Sequence, residues 1–232
     1  MSTTLFDLSN DVAVVTGAGR GIGLEFARQY RAAGWDVIAT CRSADAVSAL
    51  RALRCETARI DMTDAAAIDA FAAGISARSL DVAVLNAGTA GQRVGVLEPT
   101  APEDFDSVMR TNVFGPMRLI AALADRMAKG GRIAAISSRM GSLGCTANGR
   151  SALYRASKAA LNAVARAASF ELAPRGVIVV VLSPGWVKTD MGGGQADLDV
   201  ATSVAGMRAA IEHTSQADSG RFVDHAEAAI VW

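Results

Sequence analysis

The chain has no excess of either charge: 23 Lys and Arg balance 23 Asp and Glu over 232 residues, for a formal net charge of zero. No basic stripe or aromatic-interleaved cluster stands out, which argues against nucleic acid as a partner. Cysteine is scarce, and Cys41, Cys55 and Cys145 are odd in number and scattered. That pattern excludes a disulfide framework and reads as reduced thiols in a cytoplasmic protein. His213 and His225 are the only histidines and have no ligand spacing with any cysteine, so no metal site is expected. The longest apolar run falls far short of a membrane span. Residues 1–10 show neither the basic nor the apolar region of a secretory signal. No linker, repeat or low-complexity block divides the chain, which is read as a single domain over 1–232, a length suited to one α/β unit.

What is abundant is apolar sequence, 51% of residues. Strand-like runs at Val12–Val15, Val37–Thr40, Ala58–Ile60, Val82–Leu85, Ile133–Ile136, Val177–Leu182 and Arg221–Val223 alternate with helical stretches. Such alternation predicts an α/β fold, a central parallel sheet of about seven strands with helices on both faces.

Two motifs carry chemistry. The strand Val12–Val15 runs into Thr16-Gly17-Ala18-Gly19-Arg20-Gly21-Ile22-Gly23, and a helix follows at once. Glycines at 17, 21 and 23 let backbone approach a pyrophosphate, and a helix N-terminus supplies unpaired N–H groups to hold it. The spacing is Thr-Gly-x-x-x-Gly-x-Gly, not the commoner Gly-x-Gly-x-x-Gly. The second motif is Tyr154-Arg155-Ala156-Ser157-Lys158 in an Ala-rich helical run, Arg150 to Ala173. Residues at i and i+4 share a helix face. An ammonium roughly 4 Å from a phenolate would stabilise it by on the order of 4 kcal/mol at an effective dielectric near 20. The tyrosine pKa is therefore expected to fall below its free value of about 10, so that Tyr154 trades a proton with an alcohol or ketone.

With both motifs placed, the chain resembles the short-chain dehydrogenase/reductase family over nearly all its length, and most of all the sniffer-like carbonyl reductases and C-factor-type proteins. Asn86-Ala87-Gly88 after Val82–Leu85, Asn112, Ser137-Ser138 after Ile133–Ile136, and Pro184-Gly185-Trp186-Val187-Lys188-Thr189-Asp190-Met191-Gly192-Gly193 carry the likeness. It implies a doubly wound Rossmann domain and an NADP(H)-dependent reductase acting on a small or moderately apolar carbonyl, or on the alcohol in reverse. By resemblance Ser138 holds the substrate oxygen, Tyr154 transfers the proton, Lys158 binds the nicotinamide ribose, and Asn112 seats a relay water. Pro116, four residues on, has no N–H for the Asn112 carbonyl if one helix runs through both. The implied cofactor residues are Gly17, Arg20, Gly21, Ile22, Gly23, Arg42, Asp61, Met62, Asn86, Ala87, Gly88, Tyr154, Lys158, Pro184, Gly185, Val187 and Thr189.

Cofactor choice in this fold is decided at the end of the second strand, where a carboxylate favours NAD. Cys41 stands there, followed by Arg42. Arg20 and Arg42 are expected to converge on the 2′-phosphate of NADP(H). Asp61 is read as an adenine contact, with a helix N-cap as its rival role. The segments 89–97, 139–150 and 191–202 are expected to line the substrate pocket with few charges, the last as a mobile lid around Gly192-Gly193-Gly194. Helices around 112–127 and 150–173 are expected to form a homodimer or homotetramer, as the family does. Two departures stand out: Leu85 replaces an Asn frequent before Asn-Ala-Gly, and Phe222 to Glu227 lacks the Asp-Gly turn of near relatives, putting pocket closure there in doubt. A C-factor-like signalling protein and an NAD-linked alcohol dehydrogenase are the alternative functions. An extended-branch epimerase would need a longer chain.

Overall fold

The computed structural model describes residues 11–75 and 79–232. Seven parallel strands form one sheet: β1 (Val12–Val15), β2 (Asp36–Cys41), β3 (Glu56–Arg59), β4 (Leu80–Leu85), β5 (Met127–Ile136), β6 (Ile178–Ser183) and β7 (Arg221–Asp224). Their spatial order is β3-β2-β1-β4-β5-β6-β7, so the winding reverses between β1 and β4. Ligands in such sheets bind at that reversal, beyond the carboxyl ends of the strands.

Successive strand residues face opposite layers, and both layers are apolar. Val14, Ile38, Ala83, Leu85, Ile133, Val179 and Val181 pack in one core with residues of α3 (Ala65–Gly74), α5 (Gly115–Leu123) and α6 (Ala152–Leu172). Val15, Val37, Ala39, Val84, Ala134, Val180 and Leu182 pack in the other with α1 (Gly21–Ala32), α2 (Ala44–Ala52) and α7 (Val200–His213). A fully buried Leu or Ile contributes about 1.5–3 kcal/mol through its removal from water. Continuous burial from Ile178 to Ser183 explains why β6 reads as one unbroken apolar run rather than an alternating one.

Several boundaries differ from expectation. β5 begins at Met127, not Ile133, because its register against β4 shifts between Leu80 and Val82. Gly130, at φ +84°, donates its N–H to Gly176 O at 2.8 Å there, so a glycine pair that looks like a strand breaker sits inside the ladder. β3 covers Glu56–Arg59, and Ile60 lies just past it, its N–H 3.0 Å from Cys41 O. α6 starts at Ala152 because Ser151 adopts a left-handed φ of 56°. Residues 200–202 belong to α7, capped by Asp199 accepting from Thr202 N at 2.8 Å, and so lie outside any loop.

α4 (Pro102–Met109) runs through a π-helical turn, Arg110–Phe114, into α5. Pro116 has no N–H for Asn112 O, and the widened turn bonds Gly115 N to Arg110 O instead. Gly115 is required by close approach: a Cβ there would lie 2.5 Å from Met62 O and 2.9 Å from Met62 Cβ. A Cβ on Gly74, by contrast, meets nothing within 4 Å. Gly115→Ala is therefore expected to lose about 1–3 kcal/mol of stability, whereas Gly74→Ala stays neutral or gains up to about 1 kcal/mol. Urea denaturation of the two variants checks this, and equal midpoints would contradict it.

Candidate active site

The carboxyl ends of β1 and β4 are tied together by one threonine and one asparagine. Thr16 Oγ1 donates to Val84 O at 3.3 Å and accepts from Asn86 N and Ala87 N at 3.0 and 3.1 Å. Asn86 Nδ2 donates to Thr16 O and Gly17 O at 3.0 and 3.2 Å. These bonds draw the glycine turn so close that a Cβ on Gly17, itself at φ +63°, would sit 2.8 Å from Ala87 Cα. A Cβ on Gly23 would meet Gly17 O at 2.4 Å. α1 then opens with no side-chain cap and no acidic residue in its first turn. Its orphan N–H groups and the glycine cradle suit an anionic diphosphate. Thr189 covers that opening, with its Cγ2 3.5 Å from where a Gly21 Cβ would be. Leu85 lies in the core at 2% exposure and makes no claim on the cleft.

Ser138, Tyr154 and Lys158 meet on the far side of the reversal. Ser138 caps a short turn, Oγ accepting from Met140 N at 3.1 Å, and its hydroxyl lies close enough to the Tyr154 phenol to favour the phenolate. Ser137 is committed elsewhere: it is buried and donates to Asn162 Oδ1 at 2.5 Å. Gly141 admits α6, since a Cβ there would be 2.8 Å from Lys158 C. Lys158 is 4% exposed, with Nζ donating to Ile136 O at 2.8 Å and standing 5.8 Å from the Tyr154 ring centroid.

The electrostatics of this cluster run against the sequence-based expectation. Burial pushes the Tyr154 phenol above its ordinary value, and the hydrogen bond from Ser138 and the charge of Arg93 only partly oppose this. The lysine does not lower it, because its ammonium is turned to the Ile136 carbonyl and is itself desolvated, its pKa brought down to about 8. Arg93 was not singled out in the sequence; it stands in the 89–97 loop and donates to Met191 O across the site. That contact places a cation on a pocket wall expected to carry few charges.

Asn112 is wholly buried. Its Oδ1 accepts from Thr89 N at 2.8 Å, and its Nδ2 donates to Thr89 O at 2.8 Å and to Ser157 Oγ at 2.9 Å. Ser157 passes the chain on to Tyr154 O at 2.8 Å. The amide thus binds the segment after β4 to the turn of α6 that holds the tyrosine. Ser157 lay inside the recognised pentad, yet no spacing rule distinguishes it from a helix filler. A Cβ on Gly88 would be 3.3 Å from Asn112 Oδ1 and 3.5 Å from Lys158 Nζ, so Gly88 lies beside both.

At the other end of the cleft Cys41 is buried and Arg42 exposed. Arg20 does not converge on Arg42: its Nη1 is 2.6 Å from Asp190 Oδ2, in an exposed pair worth at most about 1 kcal/mol. Asp61 accepts from Thr63 N and Thr63 Oγ1, both at 2.8 Å, and those bonds hold its carboxyl below the usual range. The cap of α3 is Asp64, accepting from Ala67 N, so Asp61 is not a helix cap. Met62 is buried against Gly115, and Ile22 is packed beside the second core.

The 186–199 segment is pinned at both ends: Leu198 N donates to Trp186 O at 3.1 Å and Lys188 N to Leu198 O at 2.9 Å. Trp186 Nε1 donates to Gly192 O at 2.8 Å, and Gly185, at φ +81°, makes the turn out of β6. Pro184 O accepts from Ser203 Oγ at 2.7 Å, and Val187 is buried. The C-terminal turn closes without Asp-Gly: Asp224 Oδ1 accepts from Ala226 N and Ala228 N at 3.0 Å, and Glu227 takes the left-handed φ of 64°. The chain end then reaches the 139–150 wall, with Ser142 Oγ donating to Val231 O and Gly144 N to Trp232 O.

Comparison with known proteins agrees with this fold. The model of the short chain dehydrogenase family matches residues 11–199, and the chain belongs to that family. It is 38% identical to the C-signal of Myxococcus xanthus over 168 residues, 70% of this chain and 99% of the relative. The NADPH-bound carbonyl reductase from chicken fatty liver superposes with a TM-score of 0.88 at 32% identity, covering 96% of this chain and 99% of that one. The carbonyl reductase Sniffer of D. melanogaster gives 0.87 at 27% identity with the same coverage.

The buried lysine makes stability depend on pH. Its folded pKa of about 8 lies below the roughly 10.4 of an unfolded lysine. Between those values the unfolded chain holds the proton that the folded chain has released, so unfolding free energy rises with pH there. Against Lys158→Met, which has nothing to titrate, the wild type should gain about 1–3 kcal/mol from pH 8 to 10.4. Urea denaturation along that pH series measures the difference, and a constant difference would contradict the buried-ammonium account.

Proposed function

We propose that this protein is an NADP(H)-dependent carbonyl reductase whose proton donor is Tyr154. The observation that carries the reading is the meeting of Ser138, Tyr154 and Lys158 at one edge of the cleft that the glycine turn opens. Gly17, Gly21, Ile22 and Gly23 with the start of α1 would hold the diphosphate, and Asp61 and Met62 the adenine. Asn86, Ala87, Gly88, Pro184, Gly185, Val187 and Thr189 would hold the nicotinamide half, and Lys158 its ribose. Bound there, NADPH supplies a hydride to the substrate carbonyl carbon.

The protein's residues do the rest. Ser138 donates to the carbonyl oxygen and fixes its place beside the phenol. Tyr154, protonated at neutral pH as any free phenol is and held further toward that form by its burial, gives its proton to the oxygen as negative charge develops. Lys158 places positive charge near the phenolate left behind and draws a replacement proton through water held at the Asn112 carbonyl, which Pro116 leaves without a helical N–H. Val96, Leu97, Leu143, Trp186 and Met191 are exposed on the flanking loops, and their apolar surface supports a small or moderately apolar aldehyde, ketone or quinone as substrate. Residues 191–197 act as the lid, hinged at the pinned ends of the loop.

The lack of a carboxylate at Cys41 disfavours NAD-linked alcohol oxidation. The likeness to C-signal favours a signalling role without turnover, but such a role leaves the complete Ser138, Tyr154 and Lys158 set unexplained. Location in the cytoplasm is part of the reading, as is assembly through α5 and α6 into a dimer or tetramer. Ala156, Ala163, Ala167, Phe170 and Met117 are exposed on those two helices and would be covered by a second copy.

With NADPH and a panel of aldehydes, ketones and quinones, the wild type should turn over at least one carbonyl, and Tyr154→Phe should lose at least a hundredfold in kcat. NADPH affinity should stay within about threefold, because the phenol contributes little to the cofactor site. Lys158→Ala should lose both turnover and affinity. Near-normal reduction by Tyr154→Phe would overturn the assigned role.

A further inference from the structure

The end of β2 carries a cation that no motif identifies. Cys41 pairs in register with Arg59 of the neighbouring parallel strand β3, and in-register partners of a parallel pair point to the same face of the sheet. Arg59 Nε donates to Arg42 O at 3.3 Å, which draws the guanidinium of the edge strand back over the end of β2. Its positive charge is felt at the Cys41 thiol. Cys41 in turn abuts the glycine turn, its Cβ 3.4 Å from where a Gly19 Cβ would stand. Arg59 therefore flanks the position at which a strand-end carboxylate would otherwise meet the adenosine ribose. The thiol at position 41 is small and uncharged and puts no counter-charge between them. Arg20 is engaged with Asp190, on the loop after β6.

Building on the NADP(H) reading, we propose that Arg59, together with Arg42, receives the 2′-phosphate of the cofactor and is the second determinant of cofactor choice, in the place that Arg20 would fill by sequence. Arg42 directly follows β2, with its charge reaching the Asp61 carboxyl, and Arg59 stands on the adjacent strand, so a phosphate arriving at the end of β2 would meet a guanidinium from each. A guanidinium matches phosphate oxygens through paired N–H donors, and a lysine offers only a point charge. Replacing Arg59 should therefore act on the phosphorylated cofactor alone. Its exposed place on an edge strand makes the substitution compatible with folding.

The test is fluorescence titration with four probes, NADPH, NADH, 2′,5′-ADP and 5′-AMP, on the wild type and on Arg59→Gln, Arg59→Lys and Arg20→Gln. Circular dichroism and the thermal midpoint check that each variant is folded. Arg59→Gln should weaken NADPH and 2′,5′-ADP by roughly tenfold or more and leave NADH and 5′-AMP within twofold. Arg59→Lys should fall between it and the wild type, and Arg20→Gln should keep most of the preference for NADPH. Preference unchanged in Arg59→Gln but lost in Arg20→Gln would overturn the assignment of Arg59 and leave the NADP(H) reading standing. A wild type that binds NADPH no better than NADH would instead overturn the NADP(H) reading itself.

Discussion

The buried amide of Asn112 is the contact on which the rest of the site depends. It closes a two-way bond with the backbone of Thr89 and reaches Ser157, which reaches the carbonyl of Tyr154. Three segments far apart in the chain are fixed to one another through Asn112 and Ser157, both fully buried. Leaving such groups unsatisfied costs about 1–3 kcal/mol each, so the arrangement is held as a unit or not at all. The π-helical turn at Arg110–Phe114 is where the long α4–α5 segment departs from regular winding to bring Asn112 inward. Turns of this kind gather at functional sites because they re-aim a side chain without ending the helix.

Electrostatics at the same place are arranged as stored strain in protonation. Desolvation raises the phenol of Tyr154 and lowers the ammonium of Lys158, pushing each group toward its neutral form. A neutral phenol is the state an acid must occupy before it donates. Negative charge arriving on a substrate oxygen beside Ser138 is what would make the donation favourable, with the lysine close enough to steady the phenolate that results. On the proposed reading, the pair becomes productive only when charge develops nearby.

How much of this could be read from the residues varies with the cause. The seven strands and their parallel sense follow from the apolar runs, because burial on both sheet faces demands that composition, and the glycine turn marks the candidate diphosphate site after β1. The start of β5 did not follow, since Gly130 and Gly131 look like a turn until β4 is placed beside them. Ser138, Tyr154, Lys158 and Asn112 could be named from motif and resemblance, yet the direction of the Tyr154 shift could not. It depends first on how deeply tertiary packing buries the phenol, and the Lys158 ammonium that local spacing aims at it is bonded to a carbonyl of β5 instead. Arg20 sits in a motif but bonds to Asp190, 170 residues away. Arg59 belongs to no motif, and only strand register puts it beside Cys41. Contacts set by local pattern are legible in the chain; those set by which strands become neighbours are not.

The central claim is that hydride passes from NADPH to a carbonyl carbon while Tyr154 supplies the proton. Its most direct measurement is isotope transfer from NADPH deuterated at the transferable C4 position, followed by mass spectrometry of the alcohol formed. The account predicts one deuterium on the carbinol carbon with the wild type, from one face of the nicotinamide only, and at most about a hundredth as much labelled alcohol from Tyr154→Phe in the same time. Absence of deuterated alcohol from the wild type across the carbonyl panel, or equal labelling by Tyr154→Phe, would contradict it.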